Sequence, residues 1–522
     1  MTVSDGASPA AGTQDARARA VYGAVAELRA EVQVRADRML ADWPGAAGGA
    51  GLGDSVANLA AWLALRQIDL DALQGPLAAL GLSTLGRCEG HVLASIDAVM
   101  ATLAVLAGVP GVRHPCAATF TDAARVLEDR RDALFGAALG DSPSTRIMVT
   151  LPSEAADDPA FAEAVIAAGA DCLRINTAHD GPDAWVRMAT HVRAAAAAAG
   201  RHVPLMMDLA GPKLRITAVN SREKIRLHPG DRFALAPLIP VARKGRPKLY
   251  TASLSHPEVL EGLAPGDPVW IDDGVLRARV IGRIGMLVEL EVTHARIKGG
   301  RIKPDKGVNL PGRSLDVPAL TDIDRTRLGT VAGLADMVGF SFVQTVEDVR
   351  DLLRALEQEA DGRPLPPVVL KIETPRAVAN LPWLIVEAGS RVPLAVMIAR
   401  GDLAVEIGLD RLSEIQEEML WLCEAARVPV VWATQVLEGL VKQGLASRAE
   451  ATDAAMAQRA DCVMLNKGPH VVEGIAFLRD VLRRMDRHQH KKTPRMGRLN
   501  AWAPSGLEPG SGHGATPVRP QV

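Results

Sequence analysis

The stretch PPVVLKIETPRAVAN, residues 366–380, runs three aliphatic residues into Lys371 and then, two residues on, Glu373. Side chains alternate across a strand, so a lysine and a glutamate spaced by two project to the same side. A second apolar run, LAVMIAR, ends in Arg400 and is followed by Gly401 and Asp402. Glu373 and Asp402 make a hard-oxygen pair suited to Mg2+ or Mn2+, an ion that keeps waters and takes further oxygens from a substrate. The amides of Gly401 and Asp402, if they open the next helix, suit a substrate carboxylate. Other runs end in Arg174 and Asn176, in Asp208 and in Thr434. Basic groups around a two-carboxylate metal are what phosphoryl transfer needs, because stabilising charge on the moving group is most of the catalysis. The plainer reading is a set of salt bridges. Recurrence at the same end of different strands argues against it.

These residues need a scaffold that gathers strand ends. From residue 146 onward short apolar runs alternate with helical stretches: RIMVTL, DCLRIN, PLMMDL, DMVGFSF, PVVLKIE, LAVMIAR, PVVWAT and DCVMLN. Eight such units close a (β/α)8 TIM barrel, with an open doubly wound sheet as the alternative. Between the third and fourth runs, residues 213–312 alternate with turn signals and read as an inserted β lid domain on the active-site face. The barrel then comprises 143–212 and 313–488, and 15–142 has helical spacing throughout. Residues 1–14 and the Pro/Gly-rich 489–522 are expected to be disordered.

Composition narrows the partners. The formal net charge of the 522 residues is −2, so no global basic field points to nucleic acid or an anionic membrane. LAALGLSTLGRCEGHVLASI resembles a helix-turn-helix but has no basic cluster, and AVMATLAVLAGVPGV is too short to span a bilayer. Cys88, Cys116, Cys172, Cys423 and Cys462 are odd in number and form no CxxC pair, which suits reduced buried thiols and a cytoplasmic setting. The N-terminus carries no basic-then-apolar leader.

LRINTAHD, MDLAGPKLR, IDDG, KGVNLPG, DMVGFSF, LKIE, IARGDLAVEIG, ATQVLE and SRAEATDAAMAQRADCVML stand in one order over about residues 145–480. Together they resemble the pyruvate kinase family. The resemblance implies phosphoryl transfer between phosphoenolpyruvate and ADP, with Mg2+ bridging, giving pyruvate and ATP. It implies Glu373 and Asp402 as metal ligands and Lys371 as the lysine that neutralises the transferring group. Arg174 matches a phosphate-binding arginine, and Asn176, His179 and Arg215 match nucleotide-phosphate contacts. Thr434 matches the hydroxyl implicated in protonating the enolate, while Asp273 and Lys306 match lid residues that close over the site.

The resemblance also has departures. Family members that need K+ hold it at positions corresponding to Asn176, Ala178, Asp208 and the Leu209 carbonyl, and Ala178 offers no hydroxyl. Lys213 stands where K+-dependent members carry glutamate, so its ammonium is expected to replace the ion and make activity K+-independent. After the eighth run, LNKGP (465–469) replaces the family's LSGET, which puts turnover and nucleotide preference in question. The usual C-terminal sugar-phosphate domain is expected to be absent, and the helical region has no counterpart in the usual enzymes, leaving a homo-oligomer interface as one use for it. Two other readings stand beside the kinase: a metal-dependent pyruvate-enolate lyase or aldolase, and a catalytically weak metabolite-binding scaffold.

Overall fold

In the computed structural model the described residues are 9–43, 52–138, 140, 142–221, 225–239, 249–313 and 317–496. Eight parallel strands close into a barrel. In chain order they are Arg146–Thr150, Cys172–Asn176, Leu205–Asp208, Met337–Phe340, Val368–Ile372, Leu394–Ala399, Val430–Ala433 and Cys462–Leu465. Each falls inside one of the eight apolar runs. The runs are continuous because a barrel strand is buried on both faces. One face packs on the helices, through residues such as Val149, Ile175, Phe340 and Leu370. The other fills the interior with Met148, Cys172, Met206, Met337, Val369, Met397 and Met464.

The lid is a seven-stranded sheet between Ile216 and Asn309 with its own core around Phe233, Val269, Leu276 and Leu290. Its two ends meet through the Arg215–Gly307 bridge, with the Val308 amide donating to the Leu214 carbonyl at 2.8 Å. The sheet therefore rolls back on itself, and both connections to the barrel lie side by side.

The helical region caps the opposite end of the barrel. Helix Pro9–Asp42 packs on Ser55–Arg66 and Val92–Ala107. Helix Ala118–Phe135 delivers Leu134 and Phe135 into the barrel interior as a plug beneath the methionine layer. Arg146, 1% exposed, ties the plug down by donating to the carbonyls of Gly136 (2.7 Å) and Ser144 (2.9 Å) and to Asp132 (2.6 Å). Asn58 donates to the carbonyls of Glu89 and Ala425, and Arg130 to that of Arg427. By length and composition Glu89–Ala107 could cross a membrane, but Val92, Ile96, Val99 and Leu103 on it are buried in this bundle.

Three expectations need correction. The first helix begins at Pro9, inside the segment expected to be disordered, because an Ala-rich sequence propagates helix readily once nucleated; residues 1–8 lie outside the described residues. At the other terminus, Gln489–His490 pairs with Thr493–Pro494, and two lysines anchor the turn: Lys491 on Asp461 (3.0 Å) and Lys492 on Glu89 (2.9 Å). Order thus continues to 496, and 497–522 lies outside the described residues. Four cysteines are buried as expected, but Cys116 is exposed.

These contacts enclose Glu424. Burial pushes its carboxyl up to about 7, with Lys491 opposing and Glu89 and Asp461 adding. A raised carboxyl contributes stability that is complete below the ordinary glutamate value and is lost as pH rises through about 7. Relative to Glu424→Gln, the parent is expected to lose about 1 kcal/mol between roughly pH 6 and 8 in denaturant unfolding; equal pH dependence in both proteins would contradict the assignment.

Candidate functional site at the barrel mouth

The site is built on Asp208, the last residue of the third strand and 0% exposed. Arg174, from the second strand, donates to Asp208 Oδ2 through Nε (3.0 Å) and Nη2 (2.7 Å) and to Thr150 Oγ1 at 2.9 Å. Lys371, from the fifth strand, places Nζ 3.0 Å from the same oxygen, 3.3 Å from Glu373 Oε1 and 2.6 Å from Ser341 Oγ. Burial alone would push the Asp208 carboxyl up. The Arg174 and Lys371 charges outweigh it and hold the carboxyl below its usual range. Burial likewise disfavours the Lys371 ammonium, and Asp208 with Glu373 more than restores it, so the lysine stays charged while almost dry. Asp208 Oδ1 has no hydrogen-bond partner and lies against Gly339, where a Cβ would come within 2.1 Å of it. Only glycine fits there.

Glu373, 3% exposed, follows the fifth strand directly because Thr374 caps the next helix, its Oγ1 accepting from the Ala377 amide at 3.2 Å, with Pro375 in the first turn. Glu373 Oε2 accepts from the Phe342 amide at 2.6 Å. Burial raises its carboxyl, Lys371 opposes and Asp402 adds. Asp402 lies in the first turn of helix Arg400–Ile407, where Lys213 reaches it at 2.6 Å. The Gly401 amide donates to Thr434 Oγ1 at 2.6 Å and is therefore already engaged. Thr434 itself has φ of 65° and Gln435 56°. A β-branched residue held in that region is strained, and such strain persists where surroundings over-determine it. Arg400 helps by donating to the Thr434 carbonyl at 2.9 Å and pairing with Asp453.

The remaining residues divide between rim and lid. Asn176 Oδ1 accepts from the Ala178 amide in a local turn that carries His179. Partial burial, then Lys467 and Arg215, hold the His179 imidazole below its ordinary value. Arg215 donates to the Asp305 carbonyl at 2.9 Å. In the lid, Lys306 pairs with Asp272 at 2.7 Å. Asp273 at the same turn has its carboxyl raised, first by solvent lost beneath the lid, against Lys213, with Asp402 and Asp272 adding. This turn, bonded to the returning segment through the Asp272 amide and the Gly307 carbonyl (2.9 Å), is thus electrically in touch with the barrel carboxylates.

Two placements differ from the sequence expectation. Lys213 was expected beside Asn176 and Asp208; its ammonium instead sits on Asp402. The 465–469 loop was read as a loss, yet it contributes Lys467 to the cationic rim beside His179 and Arg215. A lysine just after the eighth strand was the available signal, since that end of every barrel strand faces the site. Among the described residues no group of three or more His, Cys, Asp or Glu side chains forms a closed metal cage. Two carboxylates with open positions fit a hard divalent cation that completes its shell from substrate and water.

The comparisons agree with the barrel fold. The family model described as "Pyruvate kinase, barrel domain" matches residues 142–470. The chain belongs to the pyruvate kinase family. A pyruvate kinase of Agrobacterium vitis is 32% identical over 351 residues, 66% of this chain and 69% of that protein. One of Methylorubrum extorquens is 34% identical over 359 residues, with the same shares, and one of Haemophilus influenzae 33% over 329 residues, 62% and 65%. The chain is therefore an enzyme of the pyruvate kinase type, a class that uses a divalent metal with ADP or ATP as substrate. The match begins at residue 142, so the helical cap lies outside the pyruvate kinase barrel that it plugs.

Asp208→Asn tests the centre of this pyruvate kinase site. It keeps the shape but leaves two cations without their shared anion, which is expected to cost about 3 kcal/mol in denaturant unfolding. An unchanged unfolding midpoint would mean that Asp208 does not carry the site.

Proposed function

We propose that the chain transfers the phosphoryl group of phosphoenolpyruvate to ADP with Mg2+, giving pyruvate and ATP, and that it does so without K+. The observation that carries this reading is the Lys371 ammonium, kept charged in a nearly dry site between Asp208 and Glu373 with Arg174 on the same carboxylate. Glu373 and Asp402 would hold the divalent ion, which when bound would supply positive charge to offset that of the phosphoryl group. Arg174 and Lys371 neutralise the transferring phosphoryl from the protein side and need no reorganisation to do so. The enol oxygen loses its phosphorus bond to an ADP oxygen, and Lys371 stabilises the enolate left behind. The Gly401 amide holds the Thr434 hydroxyl at the rim, which supports a part for it in ordering the proton donor that completes pyruvate. Asp273 and Lys306 bring the lid down and exclude water that would intercept the phosphoryl group.

Asn176, His179, Arg215 and Lys467 form the nucleotide side. The fixed cations around Asp208 and Asp402 support K+-independence, because the charge an ion would bring is already built into side chains. The lyase or aldolase reading has no use for that cationic rim, and the cytoplasm remains our proposed setting.

Pyruvate formation from phosphoenolpyruvate, ADP and Mg2+ is expected at equal rates in K+-free buffer and with K+ added; activity only with K+ would refute the fixed-cation argument. Lys371→Met is expected to lower kcat at least about a hundredfold in the same assay. Lys467→Ala is expected to raise KM for ADP severalfold while leaving KM for phosphoenolpyruvate nearly unchanged, and equal effects on both would remove Lys467 from the nucleotide side.

A further inference from the structure

Both connections of the lid cross one short helix. Helix Arg400–Ile407 carries Asp402 and Glu406 four residues apart, hence on one face one turn apart. Lys213, on the segment entering the lid, donates to Asp402 Oδ1 at 2.6 Å. Asn309, on the segment returning from it, donates through Nδ2 to Glu406 Oε1 at 2.8 Å. Between the two contacts lies a cavity of about 240 Å³, with Leu214, Leu310 and Phe342 on its walls beside Glu373, Asp402 and Glu406. The lid is clasped to the barrel at two points on one helix, and one of those points is a residue we assign to the metal.

We propose that Lys213 is a positioning residue acting through Asp402, which the hinge ammonium and the divalent ion contest. The inference rests on the metal assignment above and adds a consequence to it. An ammonium on a carboxylate oxygen repels a dication seeking the same group, and in a partly dry site that repulsion is weakly screened. Lys213 must swing off or share the carboxylate for the ion to bind fully, and it carries the entering hinge segment with it. Because the Val308 amide is bonded to the Leu214 carbonyl, movement of one segment is felt by the other. Metal loading and release of the lid are then a single coupled event, with Asn309 as the pivot that remains.

The experiment titrates the full chain with Mn2+ alone in K+-free buffer, following free Mn2+ by electron paramagnetic resonance and hinge amides by hydrogen exchange. The parent is expected to bind one Mn2+ that Asp402→Asn abolishes. If Asp402→Asn binds like the parent, or the parent does not bind, the metal assignment fails and this inference with it. Given that site, Lys213→Met is expected to bind Mn2+ roughly tenfold more tightly, and Lys213→Arg like the parent. Asn309→Ala, which loosens the same hinge without changing charge, is expected to stay within about twofold of the parent. Mn2+ is expected to speed exchange at residues 213–216 and 306–309 in the parent, and to change little in Lys213→Met, where exchange is fast already. Parent-like or weaker Mn2+ binding by Lys213→Met, equal tightening by Asn309→Ala, or parent hinge exchange that ignores Mn2+ would each overturn the proposal.

Discussion

Everything at the mouth of this barrel depends on one carboxylate that water does not reach. Asp208 holds Arg174 and Lys371 at once, and with Glu373 it offsets the burial that would otherwise disfavour the Lys371 ammonium. The three residues come from the second, third and fifth strands, so the ion cluster also fixes how those strands stand relative to one another at their ends. A buried charge cluster of this kind adds little to stability when complete and costs much when broken. Its retention therefore makes sense as preparation for charge that arrives later. With Glu373 included, two anions face two cations, so the protein is close to neutral before a phosphate and a divalent ion enter as a compensating pair.

Neutrality explains why the barrel is plugged from below. A site that works through fixed charges loses strength if water enters behind it, because water both screens the charges and offers them other partners. Met148, Met206, Met337, Met397 and Met464 form a dry floor, and Leu134 with Phe135 from the helical region lies beneath them. Methionine suits the place: it is flexible and fills irregular gaps between strands of different tilt. Arg146 then seals the plug with backbone carbonyls. The helical region thereby closes the end of the barrel opposite the mouth.

The barrel was legible because burial on both faces turns each strand into an unbroken apolar run, and because every polar residue ending such a run must face the mouth. The same logic identified Lys371 and Glu373 as a pair and placed Arg174, Asp208 and Asp402 in one site. What could not be read is which partner a long side chain chooses. Lys213 and Asp402 stand 189 positions apart, and no periodicity encodes that contact. The plug was hidden for a similar reason: Phe135 looks like the end of an ordinary amphipathic helix until the chain after it is seen to turn into the first strand. The ordered turn at 489–496 was obscured by composition, since two lysines there spend their charge on Asp461 and Glu89 rather than on solvent.

The arrangement of Lys213 shows how a fixed cation differs from a bound one. A monovalent ion can take up whatever position the surrounding oxygens favour and can leave when they rearrange. An ammonium on a four-carbon stem is tethered to its own backbone, and here that backbone is the lid hinge. A lysine on the hinge therefore does more than supply charge: it ties the electrostatics around Asp402 to where the lid stands. The carboxylate on Asp402 feels the hinge through Lys213, and Asp273, in the turn beside the returning segment, feels both. Beside a cluster locked by burial at Asp208, this half-buried pair is the place where lid position and ligand charge can meet.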